Sequence, residues 1–144
     1  MSVALNQSKT RIKLKIRYSE TDQMGVVNHA RYFDWFSEGR AAWLEERGEK
    51  YSDWEKKGWL LPVIEAECKY MQSLRFQETV KLDTQVIKFN PRKVVFSYQI
   101  LGPSEDFTVA TGTTTHFFMY GERLRRLEPA YYEVFSRTPQ RLYS

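Results

Sequence analysis

Near Ala30 the hydrophobic pattern of this chain changes from the period of a strand to that of a helix, and this change limits the possible folds. Residues 11–18 alternate basic and apolar side chains, which is the period of a half-exposed strand. From Ala30 onward, apolar and aromatic residues recur every three or four positions up to Gly48, a residue that favours a helix end. We therefore expect a helix of about 18 residues, roughly 27 Å long, that begins near Asn28 or His29 and crosses the face of a sheet.

The rest of the chain is rich in strand patterns separated by short turns. A capping pattern from Ser52 to Glu55 predicts a short second helix that Gly58 ends. Strand patterns then cover residues 60–71, 78–89, 94–101 and 107–119, with a short strand at 122–127 and a helical turn at 129–135. The turns after residue 60 are too short for parallel crossovers. The predicted fold class is therefore α+β, with an antiparallel sheet against one long helix.

Length and composition limit the classes of protein to which this chain could belong. The 144 residues fit a single domain, residues 1–144, with a core of its own. One cysteine excludes an intrachain disulfide, and two histidines with one cysteine argue against a zinc site. A net charge of +4 is compatible with a phosphate-bearing ligand but too weak to indicate nucleic acid. The sequence has no long apolar run and no signal core, so we expect a cytoplasmic protein that does not bind a membrane.

The segment between the first strand and the long helix concentrates groups with catalytic potential. Asp22 places a carboxylate in a polar turn, and Gly25 allows a tight backbone path after it. Glu20 and Thr21 are expected to shape this turn. The helix that follows carries free N–H groups and a partial positive charge at its start. One short segment can thus supply an anionic nucleophile or base together with donors for an oxyanion, which suits the hydrolysis of an acyl compound.

The same segment carries a resemblance to a known family. From Tyr18 to Tyr32 it reads YSETDQMGVVNHARY, with an Asp, a Gly three residues later, an apolar pair and His-Ala before the helix. This pattern resembles the signature of hotdog-fold acyl-CoA thioesterases, in particular the 4-hydroxybenzoyl-CoA thioesterase group. The resemblance covers most of the chain, because strand, motif, long helix and strand run follow in the same order. It implies a hotdog fold, in which an antiparallel sheet wraps around one long central helix, and hydrolysis of an aliphatic or aryl acyl-CoA to a free acid and CoA.

The resemblance also implies roles for particular residues. Asp22 would be the catalytic carboxylate, and the backbone N–H of His29, not its imidazole, would be the oxyanion donor. By their location, Arg92 and Lys93 are implied in this way to bind the phosphates of CoA. Gly25, Val27 and Tyr32 are further candidate substrate-binding positions, with Tyr32 in the wall of an acyl pocket. Family members assemble as homodimers or homotetramers with the active site at a subunit interface. No metal is expected, and no cofactor besides the coenzyme A of the substrate.

Several alternatives stay open at this point. Asp22 could attack the thioester and form a mixed anhydride, or it could deprotonate a water molecule. The substrate could be an acyl chain on an acyl carrier protein, or the protein could be a non-catalytic binder of acyl thioesters. The basic cluster Arg123, Arg125 and Arg126 is expected at a solvated surface, with a phosphate site as the alternative. His116 is expected to be a hydrogen-bonded structural residue.

Overall fold

The computed structural model describes residues 4–75, 78–105 and 107–143. Its α-helices are α1 at Arg31–Glu46 and α2 at Tyr51–Lys56. The described strands are β1 Thr10–Lys15, β2 Trp59–Leu60, β3 Val63–Tyr70, β4 Thr79–Asn90, β5 Lys93–Leu101, β6 Thr108–Phe117, β7 Met119–Tyr120 and β8 Arg123–Leu124. Short 3-10 helices cover Tyr18–Glu20 and Pro129–Ser136. None of the described helices has both the length and the apolar character needed to cross a membrane.

The five longer strands form one antiparallel sheet in the order β1-β4-β5-β6-β3. The central strands are sequential neighbours, with Val86 of β4 opposite Phe96 of β5 and Ser97 of β5 opposite Thr113 of β6. β2, β7 and β8 form a separate small sheet. α1 contacts β1, β4 and β5 and lies across one face of the large sheet. The prediction of an α+β fold, with an antiparallel sheet around one long helix, is confirmed.

Buried aromatic side chains fix α1 to the sheet. Phe36 and Trp43 have no exposed surface, and the Phe36 ring stacks on Tyr98 of β5 with the centroids 4.1 Å apart. Gly39 lies at a close approach of the two elements, since a Cβ atom there would be 2.3 Å from Oγ1 of Thr84 in β4. These contacts set the distance between helix and sheet, and with it the position of the segment that precedes the helix.

The start of α1 and the end of β1 differ from the predicted positions because local hydrogen bonds decide them. α1 begins at Arg31 rather than near Asn28 or His29, because the Asn28 side chain accepts the N–H of Ala30 in a turn before the helix. β1 ends at Lys15, and Tyr18 begins a 3-10 turn instead of completing the strand.

Two further element ends were predicted wrongly. α2 begins at Tyr51 behind an extended Lys50, and no side chain caps it, so the pattern from Ser52 to Glu55 does not act as a capping box. The single strand predicted at 60–71 is divided into β2 and β3. Pro62 lies at the division, where its missing N–H cannot contribute to a ladder.

β3 is an exposed edge of the large sheet. It pairs with β6 on one side, and no other described strand pairs with it. All of its residues are exposed except the half-buried Cys68. Val63 and Ile64 are 48% and 39% exposed, although both are apolar. An open edge with apolar side chains favours pairing with a further strand.

Candidate active site

The segment between β1 and α1 folds into a small hairpin. Thr21 and Val27 form an antiparallel bridge, and the Asp22 N–H donates to the Val26 carbonyl at 2.8 Å. Gly25 turns the chain with a φ of 78°, in the left-handed region that glycine adopts without steric penalty. The hairpin therefore gives Asp22 a defined position just before the helix.

Asp22 uses one carboxylate oxygen to close this hairpin. Its Oδ1 accepts the N–H groups of Met24 at 2.8 Å and Val26 at 3.4 Å. Its Oδ2 accepts no hydrogen bond from the described residues, and the side chain is exposed. A carboxylate with one oxygen held and the other open is oriented and yet free to act as a base or a nucleophile.

Glu20 ties the hairpin to α1. Its Oε2 accepts the indole N–H of Trp35 at 2.6 Å, and its Oε1 accepts the Arg17 N–H at 2.8 Å. The Thr21 hydroxyl donates to the Tyr18 carbonyl at 2.7 Å. Both predictions for these residues are confirmed, because Glu20 and Thr21 shape the turn and leave Asp22 as its open carboxylate.

His29 follows the hairpin and precedes α1. The N–H groups on either side of it are occupied, since Asn28 donates to the Glu20 carbonyl at 3.0 Å and Ala30 to the Asn28 side chain. The His29 N–H finds no acceptor within the described part of the chain. The Tyr70 hydroxyl donates to the His29 carbonyl at 3.1 Å, and the two rings stack with centroids 4.2 Å apart. The backbone is thus held in place with an unused donor near the start of α1, which is a suitable arrangement for an oxyanion.

The substrate-binding residues predicted near the hairpin differ in exposure. Gly25 lies in the hairpin and is half-buried. Val27 and Tyr32 are 4% and 1% exposed, so their side chains support the hairpin and the helix start from the core. Burial raises the pKa of Tyr32 to about 12, and its phenol therefore stays protonated.

Arg92 and Lys93 lie at the other end of the sheet. The hairpin is joined to the start of β4 through a bridge between Val26 and Arg75. The 12 residues of β4 then span about 40 Å before the turn that carries Arg92. Within one protomer, the structure does not bring these two basic residues to Asp22.

A basic groove with a volume of 300 Å³ surrounds Arg92. Arg125 and Arg126 line it with Arg92, beside the apolar side chains of Phe117, Phe118 and Leu124. The Leu127 N–H donates to the Pro91 carbonyl at 2.8 Å and holds the arginine segment beside the turn. The solvated surface predicted for Arg123, Arg125 and Arg126 is confirmed, since all three residues are exposed. The sequence did not predict that Arg125 and Arg126 lie beside Arg92. Their approach to Arg92 depends on contacts between distant segments, for which a single sequence carries no signal.

The fold and the hairpin together define a class of protein, in which a sheet surrounds one helix and a carboxylate and a backbone donor precede that helix. Residues 16–136 match the model of the Thioesterase-like superfamily. The chain belongs to this family and is a hotdog-fold thioesterase.

Individual proteins are similar to this chain over most of their length. The "Putative acyl-CoA thioesterase YneP" of Bacillus subtilis is 35% identical over 116 residues, which are 81% of this chain and 83% of that protein. The crystal structure of the hypothetical protein TT1821 from Thermus thermophilus is 32% identical with a TM-score of 0.85, over 90% of this chain and 96% of that one. The DHNA-CoA thioesterase from Staphylococcus aureus is 28% identical with a TM-score of 0.83, over 89% of both chains.

Proposed function

We propose that this protein hydrolyses an acyl-CoA thioester to a free acid and CoA, with Asp22 and the backbone N–H of His29 as catalytic groups. The observation that carries the proposal is their combination at one hairpin, where a carboxylate oxygen is open and a backbone N–H before α1 is unused. The substrate class is supported by the relatives, because one is named as an acyl-CoA thioesterase and another as a DHNA-CoA thioesterase.

A thioester needs few catalytic groups. Its leaving group is a thiol with a pKa of about 8.5, which departs without a strong general acid. Two tasks remain, the attack on the carbonyl carbon and the stabilisation of the oxyanion that forms. The open oxygen of Asp22 attacks the carbonyl directly or removes a proton from an attacking water molecule. The His29 N–H donates to the oxyanion, a contact that is typically worth about 2.7–4 kcal/mol in the transition state.

The proposed active unit is a homodimer joined at β3. Antiparallel pairing of β3 with its copy would satisfy the open edge and cover the apolar side chains of Val63 and Ile64. In such a pair, the Val63 end of the partner's strand lies beside the Tyr70 end of the first strand. Tyr70 contacts His29, so the hairpin lies at this interface. The same proposal holds for a homotetramer built from two such dimers.

Dimerisation would also bring a basic groove close to Asp22, although the two lie far apart within one protomer. Val63 pairs with His116 of β6, and the next residue of β6, Phe117, pairs with Lys93. In the dimer, one end of the partner's β3 would approach the first protomer's hairpin. The partner subunit's groove lies at that same end, so it would also approach the hairpin. We assign the phosphates of CoA to Arg92 and Arg125 of the groove, since guanidinium groups bind phosphate with two parallel hydrogen bonds. The adjacent Lys93 adds a single positive charge.

The test of the catalytic assignment is the Asp22→Asn variant. Asparagine keeps the shape and an oxygen for the Met24 N–H, but its amide is neither a base nor a nucleophile. We expect kcat to fall by about 10²–10⁴-fold with the best substrate from a panel of aliphatic and aryl acyl-CoAs. Release of the CoA thiol measures turnover, and thermal unfolding shows whether the fold is retained.

Asp34→Asn provides a matched control for this variant. Asp34 lies in the first turn of α1, is exposed and pairs with Arg31 at 3.1 Å, so the change also removes one surface carboxylate near the hairpin. We expect turnover close to that of the unchanged protein. Full hydrolysis by Asp22→Asn, or an equal loss in both variants, would show that Asp22 is not the catalytic carboxylate.

A further inference from the structure

A second pocket lies along α1, away from the catalytic hairpin. Its volume is 260 Å³, and Leu44, Leu61 and Phe96 form an apolar wall. Arg40 and Ser37, both from α1, supply polar groups at the same pocket. Ligand pockets for drug-sized molecules have volumes of about 300–1,000 Å³, so this one suits only a small group.

The guanidinium of Arg40 is fixed at this pocket without an acidic partner. One terminal nitrogen, Nη1, donates to the Tyr98 hydroxyl at 3.1 Å, and the other, Nη2, donates to Ser37 Oγ at 2.9 Å. No carboxylate of the described residues lies within ion-pair distance of it. Arg31, on the same helix, is by contrast paired with Asp34. Arg40 is half-buried, so its charge lacks both full solvation and a counter-ion.

A chain of buried hydrogen bonds holds Arg40 in this position. Tyr98 and Thr114 share a hydrogen bond of 2.5 Å, and the Thr114 hydroxyl is 2.8 Å from Nε2 of His116. Nδ1 of His116 is 3.0 Å from the carbonyl of Leu61, at the pocket wall. The chain thus runs from Arg40 through the core and back to the same pocket.

The donors and acceptors in this series of hydrogen bonds permit only one direction of donation, from Arg40 to the Leu61 carbonyl. The Leu61 carbonyl only accepts, so Nδ1 of His116 carries the proton. Burial lowers the pKa of His116 to about 4, so the neutral ring accepts the Thr114 hydroxyl proton at Nε2. Thr114 must then accept from Tyr98, whose pKa is raised by burial and whose phenol keeps its proton. The Tyr98 oxygen accepts from Arg40, and every donor in the chain is used once.

We propose that this pocket binds a small organic carboxylate, with the anion on Arg40 and an apolar body against Leu44, Leu61 and Phe96. Tyr98 and Ser37 occupy one N–H of each terminal nitrogen, and the guanidinium keeps further donors for a carboxylate. The carboxylate has two possible sources, the far end of a dicarboxylic acyl group or a free acid. The first source rests on the proposed thioesterase function, and the second does not.

The first arm of the test measures binding of free acids. Benzoate and benzamide have nearly the same shape but differ in charge, and calorimetry or ligand-observed NMR gives both affinities. If the free acid is the ligand, we expect benzoate to bind at least about tenfold more tightly than benzamide, and Arg40→Met to abolish this preference. Arg31→Met removes a guanidinium from the exposed side of α1 and should leave the preference unchanged.

Tyr98→Phe tests whether the hydrogen-bond chain positions Arg40. The phenylalanine keeps the ring that stacks on Phe36 but removes the acceptor of the Arg40 N–H. We expect a weaker preference for benzoate with an unchanged affinity for benzamide, because only the anion contact depends on the guanidinium. Arg40→Lys keeps the charge without the planar fork and should restore part of the preference that Arg40→Met loses.

The second arm uses thioesters whose acyl ends differ in charge alone. The ratio of kcat/KM for 4-carboxybenzoyl-CoA over 4-carbamoylbenzoyl-CoA is compared between the unchanged protein and Arg40→Met. If the acyl end is the ligand, this ratio falls about tenfold or more, whereas a free-acid site leaves it unchanged. The pocket proposal is wrong if Arg40→Met changes neither the benzoate preference nor this ratio while thermal unfolding shows a folded protein. Absence of hydrolysis of every acyl-CoA contradicts the proposed function instead, and the benzoate arm then decides on the pocket.

Discussion

At the scale of single residues, the geometry at Asp22 depends on a neighbour without a side chain. Gly25 has a φ of 78°, and the nearest atom to a Cβ placed there is Nη1 of Arg75 at 3.9 Å. An alanine at this position therefore meets no clash, only the strain of a left-handed backbone, which costs about 1–2 kcal/mol. The hairpin can relieve this strain by turning away the N–H groups of Met24 and Val26 that orient the carboxylate.

We predict that Gly25→Ala lowers kcat/KM for acyl-CoA hydrolysis by about tenfold to a hundredfold, because small displacements of a catalytic group have effects of this size. Gly121→Ala is the matched control. Gly121 has a φ of 61° in the turn between β7 and β8, and no atom lies within 4 Å of its Cβ position. Urea unfolding should show a similar loss of stability in both variants, and only Gly25→Ala should lose activity. An equal effect on activity would mean that global stability, not the hairpin, limits turnover.

Residue roles that depend on neighbours in sequence were predictable from the chain alone. Glu20 and Thr21 shape the turn through hydrogen bonds to Arg17 and Tyr18 in the same short segment. The further bond from Trp35 of α1 to Glu20 spans 15 residues and was not predicted. Roles that depend on distant contacts were not predictable. Arg125 joins Arg92 through the pairing of remote segments, and the partner of Arg40 is a tyrosine 58 residues away in sequence.

At the scale of elements, the contact between α1 and β4 is set by one glycine and one threonine. A Cβ at Gly39 would lie 2.3 Å from Oγ1 of Thr84 and 3.0 Å from Cδ2 of Leu82. The Thr84 hydroxyl is buried and has no hydrogen-bond partner among the residues that the structure describes. Removal of that oxygen thus loses no hydrogen bond and opens the space that a Cβ at position 39 needs.

We predict that Gly39→Ala destabilises the protein by about 1–3 kcal/mol through overpacking, even though alanine favours helices by about 1 kcal/mol over glycine. In combination with Thr84→Ala the loss should be smaller than the sum of the two single effects, with a coupling of about 1 kcal/mol or more. Urea unfolding of the four proteins of this cycle measures the coupling. Strict additivity would contradict the close approach of the two elements.

The elements themselves were predictable because their signals are periodic and local. The three-to-four spacing of aromatic residues indicated α1, and alternation indicated the strands. The ends were less predictable. The Asn28 side chain delays the helix to Arg31, and Lys50 precedes α2 in place of a capping serine. The residue at which a helix begins is thus set by individual hydrogen bonds rather than by the hydrophobic period.

At the scale of the whole molecule, the proposed active site contains groups from two copies of the chain. Within one protomer, Arg92 and Lys93 lie about 40 Å along β4 from the end that carries the hairpin. Pairing of β3 with its copy would place the partner subunit's groove near Asp22. This arrangement predicts complementation between two defective subunits, because each would supply the group that the other lacks.

We predict that coexpressed Asp22→Asn and Arg92→Glu/Lys93→Glu chains form hybrid dimers with restored activity. The charge-reversed variant alone should lose about tenfold or more in kcat/KM through weaker phosphate binding. In a hybrid, one site combines Asp22 of one subunit with Arg92 and Lys93 of the other, and the second site carries both defects. Random assembly then gives about a quarter of the kcat/KM of the unchanged protein, measured at substrate concentrations below KM.

The control pair is Asp22→Asn with Asp22→Ala, whose defects lie in the same half of the site. Hybrids of these two chains contain no intact site under any arrangement, so their activity should not rise on coexpression. Separate affinity tags on the two chains allow the hybrid to be purified, and sedimentation confirms that it is a dimer. If Asp22 and the basic groove instead act together within one subunit, each site of the first hybrid keeps a defect and coexpression restores nothing. The recovered rate therefore decides whether the proposed catalytic carboxylate and the proposed phosphate-binding arginine of one active site belong to the same chain or to two chains.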